Sequence, residues 1–131
     1  MPGERQPSRP IDAYKEIIDQ LVTETSHGVT EKLVVREGGF LETSDGQVFN
    51  PFLKSLSTEQ RLQLAQMLHD ERIAGIHDVL AVLSWWVVAR GVGFTFRGEP
   101  MPVGFEGGLH HDYIGRLNDW EWPKDDDPVG S

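Results

Sequence analysis

Residues 73–90 read IAGIHDVLAVLSWWVVAR, and the fold turns on how that stretch is placed. From Ile76 to Arg90 it is apolar nearly all round, and Trp85 and Trp86 project about 100° apart on a helix. A helix without a wet face is either packed on several sides at the centre of a domain or covered in an oligomer interface. Gly91 and Gly93 end it, and Gly75 marks a kink or a new start. Just upstream, Ser57-Thr58-Glu59-Gln60 is a capping box, in which the Ser57 hydroxyl takes the Gln60 amide proton and the Gln60 side chain reaches back. The helix it opens reaches about Arg72, with Leu62, Ala65, Leu68 and His69 on one face and Leu64 at the margin.

Outward from this pair, the first helix spans about Ile11 to Ser26. Ile11, Tyr14, Ile17, Ile18, Leu21 and Val22 form one stripe of the helical period, and Asp12, Lys15, Glu16 and Asp19 take the other side. A last helix runs from about Leu109 to Asn118, with Leu109, Tyr113, Ile114, Leu117 and Trp120 as its face. Trp120-Glu121-Trp122 either clamps that helix or forms an exposed patch. Between residues 29 and 53, Thr43-Ser44-Asp45-Gly46 could turn a hairpin, and a loop with one short helix is the alternative. Asn50-Pro51 ends whatever precedes it. Phe94-Thr95-Phe96, a turn at Arg97-Gly98-Glu99-Pro100 and an edge strand at Met101-Pro102-Val103 make a small hairpin.

The expected architecture is mainly α: a single-domain helical bundle around a buried central helix at 73–90, with one or two small β-hairpins. The domain covers residues 11–123. A disordered tail precedes it (1–10), and an acidic disordered tail follows (124–131).

Composition removes whole classes of function. The 131 residues contain no cysteine, which excludes disulfides, thiolate metal sites and cysteine nucleophiles. Net charge is −9, and the basic residues of the body stand singly. Nucleic acid is therefore not an expected partner, because binding it rests on clustered Lys and Arg. No secretory signal is visible. The longest apolar stretch, Val79 to Ala89, falls short of the roughly 20 residues of a transmembrane helix. The expected address is the cytoplasm, with no membrane partner.

Five histidines are present, and three precede an aspartate: His69-Asp70, His77-Asp78 and His111-Asp112. Helical angles turn His69, His77 and His110 inward, His111 to the opposite side and Asp112 toward the polar flank. Imidazole and carboxylate are ligands for zinc, iron or manganese. A metal site would draw on His69, His77 and His110, completed by Asp70, Asp78 or Asp112, and would be built between helices. The competing reading makes each a core histidine bonded to backbone or carboxylate, with no cofactor. Ser84 is about 10 Å along the helix axis from His77, too far for proton transfer, and a helical serine ordinarily bonds the carbonyl four residues back, that of Leu80. Gly91-Val92-Gly93 and Glu106-Gly107-Gly108 match neither a phosphate loop nor a dinucleotide fingerprint.

Leu64-Ala65-Gln66-Met67-Leu68-His69-Asp70 resembles the helix that carries the His-Asp pair in metal-dependent phosphohydrolases of the HD superfamily. That family needs an upstream ligand, for which only His27 is available here, and a downstream aspartate such as Asp112. A wider resemblance runs from Ser57 to Pro123 through Gly75-Ile76-His77-Asp78 and His111-Asp112-Tyr113-Ile114-Gly115-Arg116-Leu117. It is to a small bacterial family of unknown function and implies no activity. The leading functional reading is a non-enzymatic cytoplasmic interaction or accessory protein, for example an immunity-type binder of a basic partner. It would form a homodimer through part of the Trp85/Trp86 surface. The alternative is a metal-dependent hydrolase using the His/Asp set above.

Overall fold

Five helices and one hairpin make up the described residues, 6–41, 44–105 and 107–124, of the computed structural model. They are α1 (Pro10–Thr25), α2 (Val29–Val35), α3 (Ser44–Lys54), α4 (Thr58–Arg90), β1 (Phe94–Phe96), β2 (Glu99–Met101) and α5 (Leu109–Leu117). Among the described residues the protein is thus mainly α with one small hairpin, within the one or two that its sequence predicts. Proline is well suited to a first helical position, so Pro10 belongs to α1 and not to the preceding tail. The tail residues 1–5, and the acidic run from residue 125 onward, lie outside the described residues.

The capping box forms as read. The Gln60 N–H donates to Ser57 Oγ at 3.1 Å, and the Ser57 N–H donates to Gln60 Oε1 at 2.8 Å. From there α4 runs unbroken for 33 residues. Gly75 does not restart it: one interior glycine costs only about 1 kcal/mol relative to alanine. Past Arg90, Gly91 adopts φ 71° and the Val92 N–H closes back onto the Trp86 carbonyl at 3.2 Å, which ends the helix.

Backbone packing divides the chain into two compact units, Met1–Thr23 with Gly75–Ser131, and Glu24–Ala74. Within the second, Val34 and Leu53 are buried. Arg61 of α4 donates to the carbonyls of Val34 (2.6 Å) and Arg36 (2.8 Å), satisfying acceptors that the end of α2 leaves free. Of the two readings of residues 29–53, the helical one holds: Asp45-Gly46 lies at the start of α3, and α2 precedes it. Gly46 lacks the positive φ that a two-residue hairpin turn demands. Pro51 does not end the element either, but sits inside α3. Its neighbour Asn50 accepts from the Phe40 N–H (2.7 Å) and donates to the Phe40 carbonyl (2.9 Å), a two-point clasp that holds the helix against the preceding loop.

In the first unit Ala13, Tyr14 and Ile18 of α1, Leu80 and Ser84 of α4, and Leu109, Asp112 and Tyr113 of α5 are buried. Ile17, at the edge of the α1 stripe, faces water. The strands pair Phe94 with Met101, Thr95 with Pro100 and Phe96 with Glu99. Their turn is only Arg97-Gly98, both with positive φ, tighter than the four-residue turn expected. The part of α4 in this unit, residues 75–90, buries one stripe. Leu80 and Ser84 face the interior, while Val79, Val82, Leu83, Trp85, Trp86 and Val88 are exposed. Among the described residues, those of this unit do not cover that stretch of α4 on several sides.

Candidate functional site

Ser84 sits where α4 meets the start of α5. Gly108 precedes α5 and has no side chain to cap it, so the Ser84 Oγ accepts the Leu109 N–H instead, at 2.8 Å. Gly108 holds φ 146°, and a Cβ there would lie 2.9 Å from His110 Cε1 and 3.0 Å from Ser84 Oγ. Only glycine permits this approach. The Ser84 hydroxyl is thus a cap supplied across the fold, where the sequence pointed to a bond within its own helix.

Three imidazoles gather beside it. His77 meets His110 edge-on with ring centroids 5.2 Å apart, and His110 stacks on His111 at 4.2 Å. His110 titrates below the ordinary histidine range, first because burial disfavours its charge and then because His111 and His77 repel it; Asp112 opposes the shift. Its Nδ1 lies 3.4 Å from Ser84 Oγ. A neutral imidazole beside a hydroxyl is the first half of a nucleophile–base pair. Asp112 does not supply the second half, because its carboxylate turns inward. Asp112 Oδ2 accepts from Tyr14 Oη at 2.5 Å and from the Phe105 N–H at 2.8 Å. Burial raises the Tyr14 phenol, and the bond to Asp112 and the charge of that carboxylate raise it further.

The full burial of Asp112 corrects its expected place on the polar flank. It lies about 100° from Tyr113 on the helix, close enough to turn inward once donors are present. The first turn of a helix also favours a negative charge.

The six candidate metal ligands separate accordingly. His69 Nδ1 is 3.1 Å from Glu31 Oε2, and Asp70 accepts from Gln66 Nε2 at 2.9 Å. Asp78 Oδ1 lies 3.2 Å from His77 Nδ1, while Asp112 belongs to Tyr14. His77 is brought beside its neighbour Asp78 and beside His110, which also feels the charge of Asp112. Among the described residues no three His, Asp or Glu side chains are placed to hold one ion.

Sequence reasoning also missed the Asp19 contacts. Arg116 Nε donates to Asp19 Oδ1 at 2.7 Å and Trp122 Nε1 to Asp19 Oδ2 at 3.1 Å, so the C-terminal tryptophans clamp α5. Trp122 also meets Tyr14, Phe105 and Trp120 at 5.4–5.9 Å. The signal available was the position of Asp19 on the polar side of α1, which needs a partner only once the chain has folded.

The opposite side of α4 carries the second feature. Val79 (61 %), Val82 (58 %), Trp85 (51 %) and Trp86 (46 %) stand exposed together with Leu83. The two indoles meet edge to face at 5.5 Å, and the Arg90 guanidinium lies 5.2 Å from the Trp85 ring and 6.0 Å from that of Trp86. Asp78, at the other end of the same face, is 80 % exposed. Among the described residues α4 is the one helix long and apolar enough, by length and composition alone, to cross a membrane; 11 % of its apolar window is buried.

No curated protein and no solved structure matches the chain. A family model described as a family of unknown function covers residues 7–124, nearly the whole sequence. This chain belongs to that family, DUF6547.

Proposed function

We propose that the chain is a non-enzymatic cytoplasmic interaction protein whose binding surface is the outward face of residues 79–90, and that a homodimer covers this face. One observation carries the reading: Val79, Val82, Leu83, Trp85 and Trp86 are apolar, exposed and on one side of one helix. Large exposed apolar patches mark interaction sites, since leaving them wet costs solubility and stability. The histidines then serve the fold, with no metal required. The net charge of −9 suits the remaining surface to a basic protein partner, as in an immunity-type complex.

Light scattering at micromolar concentration tests the proposal, alongside a photo-crosslinking amino acid placed at position 82 in cells. The expected results are a mass of two chains that falls to one in Val82→Glu, and a defined adduct from position 82. A wild-type mass of one chain with no adduct overturns it.

A further inference from the structure

The N–H that opens α5 is capped from another helix. Gly108 has no side chain to do so, and the Leu109 N–H donates instead to Ser84 Oγ of α4 at 2.8 Å. The first turn of α5 then carries His110 and His111, whose rings stack at 4.2 Å, and His77 of α4 closes on His110 at 5.2 Å. A helix N-terminus carries a partial positive charge and disfavours another beside it. A proton on His110 or His111 therefore acts against the helix end and against the neighbouring ring. With its proton on Nε2, neutral His110 can accept from the Ser84 hydroxyl through Nδ1, 3.4 Å away; once charged, it becomes a second donor to that oxygen.

Neighbouring carboxylates offset little of this. On α4, Asp78 Oδ1 lies 3.2 Å from His77 Nδ1 and is itself 80 % exposed. On α5, Asp112 turns inward to Tyr14 of α1 and to the Phe105 N–H. Its charge favours a proton on His110, but burial, His111 and His77 each weigh more against one. The described residues just before α5, Phe105, Gly107 and Gly108, are not ionisable. The other charge that α1 brings here is positive: Lys15 Nζ lies 5.8 Å from the centre of the Phe105 ring.

From this arrangement we infer that His77, His110 and His111 form an acid-sensitive latch: protons on the stacked rings part the first turn of α5 from α4 and release the Leu109 N–H from Ser84, ahead of the rest of the helix. The inference goes beyond the binding face on α4 and does not depend on it. Further along α5 the contacts contain no imidazole. Tyr14 holds Asp112 there, and Arg116 Nε donates to Asp19 Oδ1 at 2.7 Å. Acid therefore acts on one end of the helix. Opening that end exposes Leu109 and Ser84, both buried in the closed joint. Local openings of this kind need far less free energy than global unfolding.

Amide hydrogen exchange in the full chain tests the latch, with protection taken relative to the intrinsic rate at each pH. Between about pH 7.5 and about pH 5, Leu109 should lose about tenfold more protection than Leu117 at the far end of α5. The variant carrying both His77→Gln and His111→Gln leaves His110 without its flanking charges. It should lose most of that difference, and the NMR titration midpoint of His110 should rise toward the ordinary 6.5. Rings that serve packing alone would leave that midpoint where it is. Circular dichroism verifies folding, and His111→Gln by itself, at an exposed position, should produce part of both effects. Equal loss of protection at Leu109 and Leu117 overturns the inference. So does a His110 midpoint that ignores these replacements.

Discussion

Tyr14 Oη donates to Asp112 Oδ2 across 2.5 Å, joining two fully buried side chains 98 positions apart. The bond ties α1 to α5, and the same carboxylate oxygen holds the Phe105 N–H. Removing a donor leaves a buried carboxylate short of a partner, the costly half of any hydrogen-bond deletion. Tyr14→Phe, which keeps the ring, is therefore expected to lower stability by about 1–3 kcal/mol. Urea denaturation measures this; an unchanged midpoint would show that water replaces the phenol.

Ser84 and Gly108 act on one joint. Ser84→Ala removes the hydroxyl that caps α5 and should cost about 1 kcal/mol, the usual value of an N-cap. Gly108→Ala should cost about 1–3 kcal/mol, because φ 146° is strained for any L side chain. The new methyl would also press on His110 and on Ser84 itself. The two effects share contacts, so a double-mutant cycle should give less than their sum.

Acid should loosen this region through His110. Its folded-state proton affinity is depressed, while unfolded it returns to the ordinary value of 6.5. Between the two values the unfolded chain binds more protons, so stability rises with pH there. The contribution is fully present above about 6.5 and is lost as pH falls from 6.5 through the folded value. His110→Gln should flatten this part of the stability–pH curve. Parallel curves for both proteins would contradict the assignment.

Metal analysis addresses the histidines directly. With His69 beside Glu31 and Asp112 committed to Tyr14, purified protein is expected to carry less than about a tenth of a metal ion per chain. The same should hold for His77→Ala. Stoichiometric zinc in the wild type that disappears on substitution would restore the hydrolase reading.

Sequence alone was enough for what depends on neighbours along the chain. The Ser57–Gln60 capping box, the course of α5 and the hairpin after Gly93 are all set by contacts within a few residues. So is the apolar stripe of Tyr14 and Ile18. Local signals left two outcomes open where two structures share one local code. Asp45-Gly46 can start a helix as well as turn a hairpin, and the Asn50 clasp on Phe40 belongs to the helical outcome. Only tertiary structure could decide that Asp112 is buried, that Ser84 caps a helix 25 residues away, and which side of α4 stays wet. A helical angle states where a side chain points. Whether a donor, a second helix or solvent waits there depends on segments distant in sequence, because burial and hydrogen bonding are properties of pairs.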